Sequence, residues 1–411
     1  MEVVEDIVIV GAGISGLTTS LGLHRQGIRS LVLESSDTLR AYGFAFTAMT
    51  NAWKALDAVG VGDSLRQQHE QLHGIVVSSP NSGKPPSESS LKVKGTNGEH
   101  EVRCLQRKLL LEALERDLPS GTIRFSSKVV SIEESGFFKL VHLADGTILK
   151  TKVLIGCDGV NSVVAKYLGF KKPALTGRFS IRGYAHFSEG HDFGSKFLLF
   201  CGKGVRCGLL PCDDKKMHWF FTWSPSLEEK ELDNGFKMKQ FVLSKLIDLP
   251  DHIRNVIEIT DPDSIVLSPL RFRPPWELLW TQISRGNVCV IGDALHPMTP
   301  DLGQGGCSAL EDGVVLARLL GNALLNKSCG DVKAKDNEDN EKYKRTEMGL
   351  KEFSKERKWR SINLITTAYA VGFIQQSDGK IMNFFKEKIL SVFLAGVLLE
   401  RADYDCGVLN V

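Results

Sequence analysis

The chain has 411 residues, enough for two domains or for one domain with a long insertion, and 51 Lys and Arg against 49 Asp and Glu leave a formal charge of +2. The charges are interspersed rather than blocked, which disfavours nucleic acid or an anionic membrane as a partner, so specificity has to come from a pocket. Nine cysteines, odd in number and set mostly in apolar runs, fit neither a disulfide framework nor a metal site and read as small buried hydrophobes in a reducing, cytoplasmic setting.

Ile7, Val8, Ile9 and Val10 form a β-branched run that predicts a buried parallel strand, and glycines follow it before a helical pattern through Leu17, Leu21 and Leu23. In Gly11-Ala12-Gly13-Ile14-Ser15-Gly16, Gly11 permits a tight turn and Gly13 lets a pyrophosphate approach the backbone. Gly16 lets helix and strand pack closely, and the helix N-terminus faces the phosphates. Glu34 follows Gly16 by 18 residues at the end of a second apolar strand, where a carboxylate accepts hydrogen bonds from ribose hydroxyls and repels a 2′-phosphate. The unit predicts bound FAD or NAD. A first strand this early leaves no room for a signal or transit peptide.

Arg40 stands in the polar connection that follows and reads equally as a cofactor contact or a surface charge. Residues 51–60 are helical and end on glycine, and 79–100, rich in Ser, Pro, Gly, Asn and Lys, read as a surface excursion between domains. Cys104 to Glu115 reads as an amphipathic helix in which Lys108 has Glu112 as a partner. Arg107 has no carboxylate at helical spacing, which makes it a candidate ligand contact.

Strand-like alternation runs from Ile123 to Ile155, and its last segment ends in Cys157-Asp158-Gly159, an acid at the carboxyl end of a parallel strand, where ligands bind in open α/β sheets. Residues 177–270 carry short strands with many aromatics, fitting an antiparallel sheet able to wall a pocket for a flat apolar substrate, although core packing explains any single aromatic better. Asn287 to Ile291 returns to a buried strand, followed by Asp293, a proline- and glycine-rich loop and a helix. That loop aims backbone N–H groups and the positive dipole end at whatever lies before it. Glu311 and Asp312, near the helix start, suit the dipole and need no catalytic role.

Lys327 to Arg345 reads as a charged loop, and a long helix through Phe353, Trp359, Ile362 and Ile365 covers the fold or forms a dimer contact. The uncharged run 389–399 holds 11 residues, short of the about 20 that span a bilayer, so a packed C-terminal helix is expected, with peripheral membrane contact as the minor reading.

Three motifs, Gly11-x-Gly13-x-x-Gly16 with Glu34, Cys157-Asp158-Gly159-x-x-Ser162, and Gly292-Asp293-x-x-His296-Pro297-x-x-Pro300-x-x-Gly303-Gln304-Gly305, together resemble the FAD-dependent monooxygenases of the aromatic-hydroxylase class, in that family's order. The resemblance implies a Rossmann-like FAD-binding α/β domain in three parts (1–78, 101–176 and 285–326), interleaved with the 79–100 excursion and an antiparallel substrate domain over 177–284. A helical region over 327–411 completes it. It further implies that Glu34 holds the FAD ribose, that Arg107 contacts the FAD chain, and that Asp158 and Gly159 lie near the pyrophosphate and influence NADPH or NADH use. Asp293 would hold the ribityl chain, and Pro297 with Gly303, Gln304, Gly305 and Gly306 would border the ring.

Departures from the pattern are Ser20, Leu295, Asp301 where Asn is common, and Ala165 beside Lys166 where an arginine is usual, the last bearing on nicotinamide preference. The implied reaction is NAD(P)H-dependent insertion of one oxygen atom from O2 into a small aromatic or electron-rich metabolite through a flavin hydroperoxide. No side-chain nucleophile or acid–base pair is identifiable, and His218, Arg206, His186 and Tyr184 are candidate substrate-orienting groups. A flavin-dependent oxidase, a halogenase, or a silent FAD-binding protein are the alternatives; the run Trp219 to Pro225 lacks the Trp-x-Trp-x-Ile-Pro signature of the halogenases. A monomer or homodimer is expected.

Overall fold

The computed structural model describes residues 4–39, 45–79, 85–202, 204–225, 232–325, 335–376 and 391–410. The strand Val4–Val10 pairs in parallel with Leu31–Leu33 on one side and Ile148–Gly156 on the other, and Ile148–Gly156 pairs in parallel with Val288–Val290. Val8, Ile9 and Val10 are buried on both faces, as a β-branched run in a covered parallel sheet should be. This eight-stranded sheet is closed at one side by the antiparallel strands Val129–Ser135 and Phe138–Leu143, joined to Ile148–Gly156 through the expected turn around Asp145-Gly146.

Register does the functional positioning. Val10 lies opposite Gly156, and Gly156 lies opposite Val290, so the segments beginning at Gly11, Cys157 and Ile291 leave the sheet side by side at its carboxyl edge. Backbone bonds carry the alignment past the strands: Cys157 N–H donates to Val10 O at 2.8 Å, and Ile291 N–H to Gly156 O at 3.0 Å. Motifs roughly 140 residues apart in sequence thus emerge together at the crevice where ligands bind in open α/β sheets.

The second sheet has seven strands in the order Val266–Phe272, Ala174–His186, Lys216–Trp223, Val205–Pro211, Lys196–Gly202, Gly74–Ser78 and Ser87–Ser90. All its pairings are antiparallel except Gly74–Ser78 with Lys196–Gly202. Gly74–Ser78 belongs to this sheet, so the chain crosses before the polar stretch that marked the excursion in the sequence. Trp219, Phe221 and Trp223 pack with Ile181, Met238, Val242 and Val256 under the helices Gly235–Lys245 and Asp251–Glu258. Period-two alternation sends these aromatics to a core of their own and turns Arg182 and Tyr184 to the opposite face.

Two element boundaries differ from the sequence reading. Residues 103–106 are a strand paired with Ala45–Ala48, and the helix runs only over Arg107–Arg116; a helical period over so few residues cannot exclude a short buried strand. The charged stretch from 335 is the start of a helix, Lys335–Gln376, rather than a loop. Its exposed turns take pairs such as Lys351–Glu347 at 3.0 Å, while Phe353, Leu364 and Ile365 anchor it to the core. Ser391–Ala402 forms the expected C-terminal helix, and among the described residues no helix is long and apolar enough to cross a membrane. All eight described cysteines are buried free thiols, with Cys104 Sγ and Cys212 Sγ 3.2 Å apart.

Candidate functional site

A cavity of about 770 Å³ lies where the three segments leave the sheet. Gly13, Ile14 and Ser15 of the first segment, Gly159 of the second, and Asp293, Gly303, Gly305 and Gly306 of the third line it, together with Arg107. Arg182, Tyr184, Val266 and Ser268 of the antiparallel sheet form the far wall. The volume falls in the upper part of the about 300–1,000 Å³ typical of small-molecule and cofactor sites.

The helix Ile14–Arg25 starts at Gly13 with no side chain capping it, so its first-turn N–H groups face the cavity without an internal acceptor. Gly11 has φ +103° and a Cβ there would meet Cys157 O at 2.5 Å; both conformation and space require glycine. A Cβ at Gly16 would meet Gly11 O at 2.0 Å, which is the close helix–strand approach read from the sequence. At Gly13 a Cβ would meet nothing within 4 Å.

Glu34 is buried outside the cavity lining, at the end of Leu31–Leu33, where Oε2 accepts from Ala12 N at 2.9 Å and Oε1 from Ser36 N at 2.9 Å. Asp158 also stands outside the lining; its carboxylate takes Ser162 Oγ–H and the N–H of Val163 at 2.7 Å, capping the short helix Val163–Tyr167. Burial raises its pKa against those bonds. Arg40 lies outside the described residues.

At the other end the turn Gly292–Ala294 presents Asp293 into the cleft, exposed, with its pKa raised by the protein mass around it and drawn down in part by His296 and Arg107. Gly292 has φ +58°, and a Cβ on it would meet Ser15 Oγ at 2.6 Å, which shows how closely the two ends approach. Arg273 supports the turn from behind, donating to Leu295 O at 2.7 Å and Ala294 O at 3.1 Å, while its own N–H donates to Pro297 O at 2.8 Å. The helix Gln304–Leu325 begins at the loop that carries Gly303. Pro297 and Gln304 are buried outside the lining; the Gln304 side chain accepts from Asn51 Nδ2 at 2.8 Å.

Of the four candidate orienting groups, Tyr184 lines the cavity. His186 is exposed on the sheet, and His218 is buried with Nδ1 at 3.2 Å from Gly183 O. Burial, helped by Arg182, pushes the His218 pKa down to about 3, so it is neutral near pH 7 and Nδ1–H donates to that carbonyl. Arg206 is used elsewhere: with Arg178 it brackets the buried Asp301 carboxylate, at 2.9 Å and 2.8 Å. The aspartate at 301 is thus the counter-charge of two buried guanidinium groups.

Arg182, Phe46, Met298 and Thr299 line the cavity without having been singled out in sequence, and Arg273, bonded to the carbonyls of Ala294 and Leu295, was not singled out either. Period-two placement beside Tyr184 marks Arg182 in retrospect; nothing local marks the others. Glu311 and Asp312 need a different account from the dipole reading, because both are wholly buried in ion pairs with Arg357 of the helix Lys335–Gln376.

The fold and this site define an FAD-dependent monooxygenase. The chain belongs to the FAD binding domain family, whose sequence model matches residues 5–331. It is 60% identical to "Monooxygenase 2" of Arabidopsis thaliana over 98% of both chains, and 36% identical to "Monooxygenase 1" of the same plant over 98% of both. In fold it resembles Klebsiella pneumoniae HpxO complexed with FAD and uric acid, with a TM-score of 0.80 and 21% identity over 97% of this chain and 96% of that one. FAD is its cofactor, and the chain is an FAD-dependent monooxygenase.

Proposed function

We propose that this monooxygenase uses NADPH or NADH as a transient reductant and inserts one atom of O2 into a small, aromatic or otherwise electron-rich metabolite held against the antiparallel sheet. The observation that carries the reading is the shared cavity, bounded by the Gly13–Ser15 turn, the Gly303–Gly306 loop and the Arg182–Tyr184 strand face. Its features suit FAD. Gly13 leaves the backbone bare, the first-turn N–H groups of Ile14–Arg25 are uncapped, and the buried Thr299 hydroxyl on the wall has no partner among the described residues.

In this reading Gly11 to Gly16 hold the pyrophosphate, Glu34 the ribose, Arg107 the chain between, and Asp293 the ribityl hydroxyls. Pro297 and Gly303 to Gly306 border the ring, and Asp158 supports Gly159 near the pyrophosphate by fixing the turn after it. Bound FAD supplies the redox and oxygen chemistry. The chain's own part is to aim the N–H groups of the Gly303–Gly306 loop at the ring, where the dipole end favours negative charge, and to wall off water. A flat, electron-rich substrate of the kind that uric acid represents in the Klebsiella protein fits a wall carrying Tyr184, Arg182 and Ser268. A cytoplasmic monomer or homodimer completes the proposal.

The test is to purify the protein, record its visible spectrum, and follow NADPH and NADH oxidation and O2 uptake with a panel of phenolics, indoles and terpenoids. Consumption stimulated by a panel member, with an oxygenated product, is expected. Consumption that no panel member changes, with all O2 recovered as hydrogen peroxide, identifies an oxidase instead.

A further inference from the structure

We propose that Arg357, on the helix Lys335–Gln376 and beyond the span matched by the family, is a positioning residue of the flavin site, acting through Asp312 and Glu311 on both loops of its ring end. The inference rests on the reading that those loops hold the ribityl chain and the ring.

Arg357 is fully buried and reaches two adjacent carboxylates on the helix Gln304–Leu325. Its Nε donates to Asp312 Oδ1 at 2.6 Å, its Nη1 lies 2.6 Å from Glu311 Oε2, and its Nη2 donates to Ser308 Oγ at 2.9 Å. The second oxygen of Asp312 accepts from Gly292 N at 2.8 Å and sits 2.6 Å from His296 Nε2. One carboxylate therefore fastens the first residue of the Gly292–Ala294 turn and the histidine that closes it, with Asp293 held between. Glu311 Oε1 accepts from Arg360 Nη2 at 2.7 Å and from Asn51 Nδ2, and Asn51 Nδ2 also donates to Gln304, the residue after Gly303.

Protonation follows from the same contacts. Burial alone would raise the Asp312 carboxyl, but His296 and Arg357 outweigh it and hold its pKa down at about 2. An ionised carboxylate only accepts, so His296 Nε2 carries the hydrogen and the donor directions are settled. Glu311 is lowered likewise, its burial outweighed by Arg357 and Arg360.

Stability does not by itself explain such an arrangement. Each buried ion costs several kcal/mol of desolvation, and well-packed apolar residues of the same volume are often as stable. What apolar residues cannot supply is a donor for one specific carboxylate oxygen, leaving the other to a strand-end turn 20 residues earlier in the chain. Arg273 clamps the back of the same turn through its carbonyls, so the turn is gripped by cations on one side and by Asp312 on the other.

The test compares Arg357→Met, Arg357→Lys and Asp312→Asn with Phe353→Leu, a core change one turn earlier on the same helix that removes none of these ion pairs. Apo-protein is titrated with FAD by fluorescence quenching, and the visible spectrum and midpoint potential of the bound flavin are recorded beside thermal melts. Arg357→Met is expected to weaken FAD binding on the order of tenfold and to shift spectrum and potential, with partial rescue by Lys. Phe353→Leu is expected to melt earlier with affinity and spectrum unchanged. Should the Met variant not fold, Asp312→Asn carries the same expectation. Wild-type affinity and spectrum in Arg357→Met, or in Asp312→Asn where the Met variant is unfolded, overturn the inference. Undiminished FAD binding by Asp293→Ala would instead overturn the reading beneath it.

Discussion

At the Gly11–Gly16 end the cavity is built from backbone N–H groups, a missing Cβ and contacts within one strand–turn–helix unit. The Gly292–Gly306 end is held by side chains whose partners lie 16, 20 and 45 residues apart in the chain. A site for phosphates can be made from the main chain alone, because a helix N-terminus already offers donors. A turn that presents one carboxylate into a cleft has no such built-in frame and is tied to the remainder of the core by ions.

The comparison is sharpened most by two glycine variants at the first end. Gly16→Val puts a side chain where Gly11 O already stands and is expected to give no folded protein. Gly13→Val adds a Cβ that meets nothing within 4 Å and is expected to melt near the wild-type temperature while losing stoichiometric FAD, read as flavin absorbance per mole. Equal flavin content in Gly13→Val and wild type would break the assignment of that end.

Next in size is Asp301→Asn at the edge of the ring-end loop. It removes the charge between Arg178 and Arg206 and is expected to cost about 3–5 kcal/mol in urea unfolding. A cost below about 1 kcal/mol would show that the two arginines find other compensation.

The wall of the antiparallel sheet gives a pH effect. His218 has its pKa lowered to about 3 in the folded chain against 6.5 for the free side chain, so the unfolded chain binds the extra proton between those values. Stability is therefore lost as pH falls from 6.5 toward 3, by at most about 1.4 kcal/mol per pH unit from this group. His218→Phe should flatten that part of the stability curve; an unchanged slope would mean that the histidine is solvated. The smallest effect is expected at the exposed pair Lys351–Glu347, where Lys351→Ala should change stability by less than about 0.5 kcal/mol and leave FAD binding alone.

Much of this was legible in the sequence where the signal is local. The parallel strands, the glycine turn and the strand–acid–loop–helix block after Asn287 each carry their physics within some dozen residues. Three things were not. The strand Arg103–Gln106 was absorbed into a helical pattern because four residues are too few to fix a period. Glu311 and Asp312 looked like dipole partners because their cations, Arg357 and Arg360, lie on another helix. Arg206 stood open between a structural and a substrate-orienting role because its carboxylate, Asp301, is distant in sequence and arrives only through the fold.

The most direct measurement is a crystal structure of the protein with FAD. The account predicts the pyrophosphate against the Gly11–Ser15 backbone and the ring against Gly303–Gly306, with Asp293 on the chain between. FAD bound with its ring away from the Gly303–Gly306 loop, or with its phosphates away from Gly13, would contradict it.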